Sequence, residues 1–225
     1  FWPADVHIIG AEINKFHSIF WPGLLLSAGL PLPKNIFVHG LFTVNGQKMS
    51  KTLGNVIDPL EMIKKFGVDA TRYLLLSQFP ASEHGDIKES EFITKYNADL
   101  ANGAGNLMER IFTMAVKYSG DFSGGGEIDG KIKEFISATE ENYKARMEEF
   151  KLFEALQEVF SFIKNLDKYI NDKKPWVLLA ENKKSPELEE ILNSLFAGTE
   201  KIIEWLSPFM PSKIEEAKTF LKKVK

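Results

Sequence analysis

The apolar pattern of this chain changes period once, and that change limits the folds open to it more than any other feature. Up to about residue 86, apolar residues gather in short runs (Val6-His7-Ile8-Ile9, Ile36-Phe37-Val38, Phe42-Thr43-Val44), each followed by a glycine or a turn. Such runs read as strands. After residue 87 none survives, and apolar positions recur at helical spacing, beginning with Phe92, Tyr96, Leu100, Leu107, Ile111 and Ala115. The expectation is an α/β part over residues 1–86, followed by an all-α helical bundle over 87–225.

Within the first part, Val6 to Gly10 is a strand pattern ending in glycine. Ligands of open α/β sheets gather at the carboxyl ends of strands, so Gly10-Ala11-Glu12 stands where backbone could approach a nucleotide. An ordinary strand-to-helix turn is the alternative. Ile13, Phe16, Phe20 and Leu24 then recur at helical spacing, with Pro22 expected to break or kink the run, and His17 reads locally as a hydrogen-bonded core residue. Asp58-Pro59-Leu60-Glu61 is a helix start that Gly67 ends, and Asp69 is expected to cap the next helix, 70–76. The pattern lapses between Phe79 and Ile87, which we read as the domain boundary.

In the second part, Gly103-Ala104-Gly105 falls inside the first long helix and is expected to let a neighbouring helix approach. A glycine-rich linker over 119–126 precedes helices at 132–147 and 152–170, the latter with Phe153, Leu156, Val159, Phe160 and Ile163 inward. Two more helices follow at 188–205 and 214–221. No internal repeat is evident.

Asn45-Gly46 is the strongest turn signal in the chain, and it delivers Lys48 and Lys51 onto the loop beyond a β-type run. Ammonium groups on such a loop can meet negative charge that develops on a departing pyrophosphate. Ser50 and Thr52 add hydroxyl donors. For a bare Lys-x-x-Lys, a solvated hairpin tip is the commoner explanation.

Composition excludes several classes. With no cysteine there is no disulfide and no thiolate metal site. The four histidines, at 7, 17, 39 and 84, show no paired helical spacing, so no metal site is expected. A net charge of −3 argues against sequence-blind nucleic-acid binding and leaves room for local basic patches. The longest uncharged apolar stretch, 19–30, is interrupted by Pro22 and Gly23, and no basic start precedes an apolar leader. A cytoplasmic protein with no membrane segment is expected. Phe1-Trp2-Pro3 reads as a cut end.

Lys48-Met49-Ser50-Lys51-Thr52 resembles the KMSKS signature of class I aminoacyl-tRNA synthetases, with Thr52 in place of the last serine. Together with Leu53-Gly54-Asn55-Val56-Ile57-Asp58-Pro59 and Gly67-Val68-Asp69-Ala70-Thr71-Arg72-Tyr73, it also resembles the leucine, isoleucine and valine enzymes. Further blocks are similar to the methionyl-tRNA synthetases: Trp2-Pro3-Ala4-Asp5, Phe16-His17-Ser18-Ile19-Phe20-Trp21-Pro22, Val38-His39-Gly40, Asn97 to Asn102, and Pro175-Trp176.

The resemblance implies a Rossmann-type nucleotide-binding part carrying the lysine loop and a helical anticodon-binding part. It assigns catalytic roles to Lys48 and Lys51, and ATP or adenylate contact to Gly10, Glu12, His39, Phe42 and Lys51. It gives methionine contact to Ile13, Phe16 and His17, and recognition of a CAU anticodon to Asn106, Arg110 and Trp176. Lys168, Lys173 and Lys174 could meet tRNA phosphates. Implied partners are ATP with Mg2+, methionine, tRNA(Met), and a further N-terminal catalytic half carrying the His-x-Gly-His signature, which is not found in this chain. The alternatives are another class I synthetase or a non-catalytic tRNA-binding fragment.

Overall fold

The structure, a computed structural model, describes residues 2–50, 52–118, 125–181 and 185–224. Lys51 and most of the glycine-rich linker, 119–124, lie outside the described residues.

Strands β1 (Val6–Gly10) and β2 (Asn35–His39) pair in parallel, with Gly10 opposite His39 at their carboxyl ends. Parallel strands need a crossover. Here it is one continuous helical run: a 3-10 turn over Ala11–Ile13, a π-helical turn over Phe16–Phe20, and α1 (Trp21–Ser27). Pro22 does not break this run. Lacking an N–H to donate, it sits where π geometry gives way to α, at the second residue of α1. The apolar face expected of this run is exposed: Phe16 by 59% and Leu24 by 64%, while Leu25 is buried.

Strands β3 (Phe42–Val44) and β4 (Gln47–Lys48) form the hairpin that Asn45-Gly46 signals, both turn residues having positive φ, 53° and 75°. On the other side, β3 pairs in parallel with β5 (Gly85–Ile87). The sequence pattern missed β5, because its three residues are too few to display a period. The stretch read as a boundary is therefore stitched into a sheet. Gly40 permits it, since a Cβ there would collide with the Glu83 carbonyl.

Asp58 caps α2 (Pro59–Phe66) by accepting from the Leu60 amide, and Gly67, φ 83°, ends it. The reciprocal arm of a capping box is not made, because Glu61 pairs with Lys64. Nor does Asp69 cap α3 (Val68–Leu76), whose N-cap is Gly67. Its carboxylate reaches across the molecule to the Lys213 amide at the start of α10 (Pro211–Val224), at 2.6 Å. Arg72 complements it by donating to the carbonyls of Pro208 and Phe209.

The first helix of the second part runs unbroken from α4 (Glu89–Lys95) through a π-helical segment, Tyr96–Gly105, into α5 (Asn106–Tyr118). No atom of a neighbouring helix lies within 4 Å of where a Cβ would stand on Gly103 or Gly105. What a Cβ would meet is the carbonyl five residues back, Ala98 and Leu100 respectively. The remaining helices are α6 (Gly130–Glu148), α7 (Leu152–Lys173), α8 (Pro175–Glu181) and α9 (Pro186–Leu206). Leu156, Val159 and Ile163 of α7 are buried as expected, whereas Phe153 and Phe160 are half-buried.

One apolar core runs from Met62, Tyr73 and Leu74 through Ile111, Phe162 and Trp205 to Leu221. It crosses residues 86 and 87 without interruption: α2 and α3 pack with the bundle. Phe150, in the turn between α6 and α7, adds a second link by stacking against Phe37 of β2, ring centres 5.3 Å apart.

Candidate functional site: a lysine loop and an arginine–tryptophan pair

The lysine loop leaves β4 at Lys48, and short polar contacts hold it in place. Asp86 accepts from the Gly46 amide (2.7 Å) and the Thr43 hydroxyl (2.6 Å), fixing the hairpin turn. The Thr43 hydrogen bond, then the Gly46 amide, hold the Asp86 carboxyl below its ordinary pKa. Asn55 staples the far side: its Oδ1 accepts from the Ser50 amide at 2.8 Å and its Nδ2 donates to the Lys48 carbonyl at 3.2 Å. Neither anchor was singled out from the sequence. Short polar side chains at loop ends are too common to mark themselves.

Lys48 reaches the end of β1. Its Nζ lies 3.4 Å from Glu12 Oε1, both side chains mostly exposed. Two residues separated by 36 positions, each assigned to nucleotide chemistry by resemblance, thus meet over the strand ends. His39 and Gly10 close the same edge: a Cβ on residue 10 would stand 3.4 Å from the His39 ring, whose Nδ1–H donates to the Gly40 carbonyl at 2.8 Å. Phe42 is on β3, in the other sheet.

Phe16 and His17 line an open apolar groove of about 680 Å³ with His7, Ile9, Phe20 and Trp21. The His17 ring stands edge-on to His7 at 6.4 Å and its Nδ1–H donates to the Ile13 carbonyl at 3.1 Å. His17 is half-buried rather than a core residue. Ile13 does not line the groove, and it contributes that carbonyl.

The second constellation is in the bundle. Arg110, on α5, donates to Asp167 Oδ1 at 2.6 Å and Asn171 Oδ1 at 2.7 Å on α7, and its guanidinium lies 5.7 Å from the Trp176 ring centre. Asn171 in turn donates to Asp167 at 3.0 Å. Lys174 takes a left-handed conformation that ends α7, and Pro175 starts α8, placing Trp176 in its first turn. Trp176 remains 43% exposed. Asn106 is exposed one turn before Arg110 on α5. Asp167 and Asn171 went unnoticed in the sequence, because their partner lies 57 and 61 residues away.

Of the three lysines, Lys168 and Lys174 are exposed, while Lys173 pairs with Asp129 at 3.4 Å. Burial alone would raise the Asp129 carboxyl, but the Lys131 amide, Lys173 and Tyr169 together hold it low. Among the described residues, no three His, Asp or Glu side chains gather to hold a metal ion.

The family model for class I tRNA synthetases (M) matches residues 1–112, and the model for the anticodon-binding domain of tRNA ligases matches 129–223. The methionine–tRNA ligase of Thermotoga maritima is 44% identical over 96% of this chain, and that of Bacillus subtilis 38% over 93%. The chain belongs to the methionyl-tRNA synthetase family. It spans about a third of the length of these relatives, 35% and 32%. The structure of Mycobacterium tuberculosis methionyl-tRNA synthetase in complex with methionyl-adenylate superposes with a TM-score of 0.87 at 31% identity, over 96% of this chain and 44% of that one. The α/β part followed by a helical anticodon-binding domain is thus the arrangement of this family.

Proposed function

We propose that the chain is the KMSKS-bearing and anticodon-reading part of a methionine–tRNA ligase, with a division of labour near residue 86. The observation that carries this reading is the Arg110–Trp176 pair, a guanidinium over an indole that remains accessible to an unpaired base. Trp176 stacks on one anticodon base, Arg110 and Asn106 supply hydrogen bonds to base edges, and the combination selects CAU. Lys168 and Lys174 lie close enough in sequence to this face to meet backbone phosphates.

At the other end, Lys48 and Lys51 neutralise the charge gathering on pyrophosphate as the methionine carboxylate displaces it from the α-phosphate of ATP. Glu12 and His39, at the strand ends, suit the ribose and base of the adenylate. Phe16 and His17 contribute to the methionine pocket. The adenylate's acyl group then passes to the terminal ribose of tRNA(Met). Mg2+ would enter with the ATP phosphates, since the described acidic residues form no cage of their own. The exposed apolar face of Phe16, Ile19 and Leu24 supports a complementary catalytic half packing there and supplying the opposite side of the phosphate clamp. Such a role goes with the cytoplasm, and no described helix is long and apolar enough to cross a membrane.

The test compares affinity for a tRNA bearing CAU with the same tRNA altered at one anticodon base, at fixed salt. We expect a preference that Trp176→Ala removes, costing about 1–3 kcal/mol for a lost base stack. Equal affinity for both tRNAs would leave the chain a non-specific RNA binder and refute the methionine-specific reading.

A further inference from the structure

An asparagine followed by glycine is chemically fragile, because glycine leaves the backbone nitrogen free to attack the asparagine side chain. The dipeptide occurs twice in this chain, as Asn45-Gly46 and Asn102-Gly103, and sequence ranks the two alike. The structure separates them. Asn45 and Gly46 form the exposed turn leading into β4, a strand of two residues. Hydrogen bonds tie that turn to β5: the Asn45 amide donates to the Ile87 carbonyl at 3.2 Å and the Gly46 amide to Asp86 Oδ1 at 2.7 Å. Asn102 and Gly103 lie within the continuous helical run from Glu89 to Tyr118, which the core holds by Phe92, Ala104 and Leu107.

Attack requires the glycine nitrogen to approach the asparagine side chain in a geometry that neither a tight turn nor a helix provides, so the rate follows local opening. Freeing a two-residue strand costs less than unwinding a helix seated in the core. We propose that Asn45 is a site of spontaneous deamidation and that Asp86 restrains it. In the opened turn the Gly46 nitrogen gives up its proton to solvent and bonds to the Asn45 side-chain carbonyl carbon. The side-chain nitrogen takes up a proton and leaves as ammonia, and water opens the resulting succinimide to aspartate or isoaspartate. Asp86 opposes the first step twice: its hydrogen bond must break, and its charge beside Gly46 disfavours an amide anion. Its depressed pKa also makes it a poor base for that proton. Isoaspartate adds a methylene to the backbone of a turn closed by Val44 and Gln47, and either product adds negative charge beside Lys48. Both changes oppose phosphate binding by the lysine loop, although the modification itself does not depend on that reading.

Peptide mapping by mass spectrometry follows both sites while the full chain is held at neutral pH. Asn45 should deamidate at least about tenfold faster than Asn102 in the folded chain, and at a similar rate in denaturant, where neither is held. Asp86→Ala should speed Asn45 roughly tenfold further and leave Asn102 unchanged. Asp86→Asn, which keeps an acceptor for Gly46 without the charge, should fall between the two. A parallel rise at Asn102 would expose global unfolding of a variant, and the comparison within the parent chain needs no variant. Equal rates at the two sites in the folded chain would overturn the site, and an Asn45 rate unchanged or lowered in both Asp86 variants would overturn the restraint.

Discussion

Arg110 illustrates how a recognition residue can be held in place without being locked. Its ion pair with Asp167 is half-exposed, and such pairs contribute only about 0.2–1 kcal/mol, with a further ~0.5–1 kcal/mol for an exposed cation–π contact. Those sums orient the guanidinium yet leave it free to exchange partners for a base. Asp86 does comparable work for the lysine loop. Because its pKa is depressed in the fold, its contribution is fully present above the ordinary carboxylate range and is lost as pH falls through the depressed value. We predict that Asp86→Ala lowers the protection of the Gly46 amide against hydrogen exchange roughly tenfold at neutral pH, and that acidifying the parent chain through the depressed pKa lowers the same protection, measured relative to the intrinsic exchange rate at each pH. NMR exchange rates decide this, and an unchanged Gly46 rate in the variant rules out the anchor.

At the scale of elements, the π-helical segment is the unusual one. Replacing a helical glycine with alanine ordinarily stabilises by about 1 kcal/mol. At Gly105 the sign should reverse, because the new Cβ would stand 2.8 Å from the Leu100 carbonyl, which is backbone and cannot swing away. We expect Gly105→Ala to destabilise by about 1–3 kcal/mol, the usual range for overpacking, in chemical denaturation. Gly130→Ala, with open space around its Cβ, is the control and should not lose stability. A stabilised Gly105 variant would show that the segment relaxes to α geometry at no cost. Elsewhere, the latch of Asp69 and Arg72 onto α10 and the preceding turn makes α3 a structural member of the bundle, although only α2 separates it in sequence from the lysine loop.

For the whole molecule, burial is uneven in a way that bears on activity. The bundle encloses Phe162, Leu166, Trp205 and other fully buried side chains, each contributing about 1.5–3 kcal/mol, whereas the lysine loop rests on a few exposed or half-buried hydrogen bonds. The bundle should therefore hold the anticodon residues rigidly while the loop moves. On the proposed function, one side of the phosphate clamp is present here, so the chain alone should give no methionine-dependent ATP–pyrophosphate exchange, with activity appearing only in a protein that includes the complementary half. Exchange by the purified 225-residue chain would contradict this division.

Local chemistry made much of this legible in advance. The Asn45-Gly46 hairpin, the Asp58 cap, the Gly67 stop and the helical periods of α6, α7, α9 and α10 depend on residues within a turn or two of one another, so sequence alone determined them. What the tertiary structure decided were relations between distant residues. The destination of Asp69, the pairing of β5 with β3, the anchoring of Arg110 by Asp167 and Asn171, and the meeting of Lys48 with Glu12 all join positions 36 to 144 residues apart. Short polar side chains carry no periodic signal, and only the packed core brings their partners within hydrogen-bonding distance.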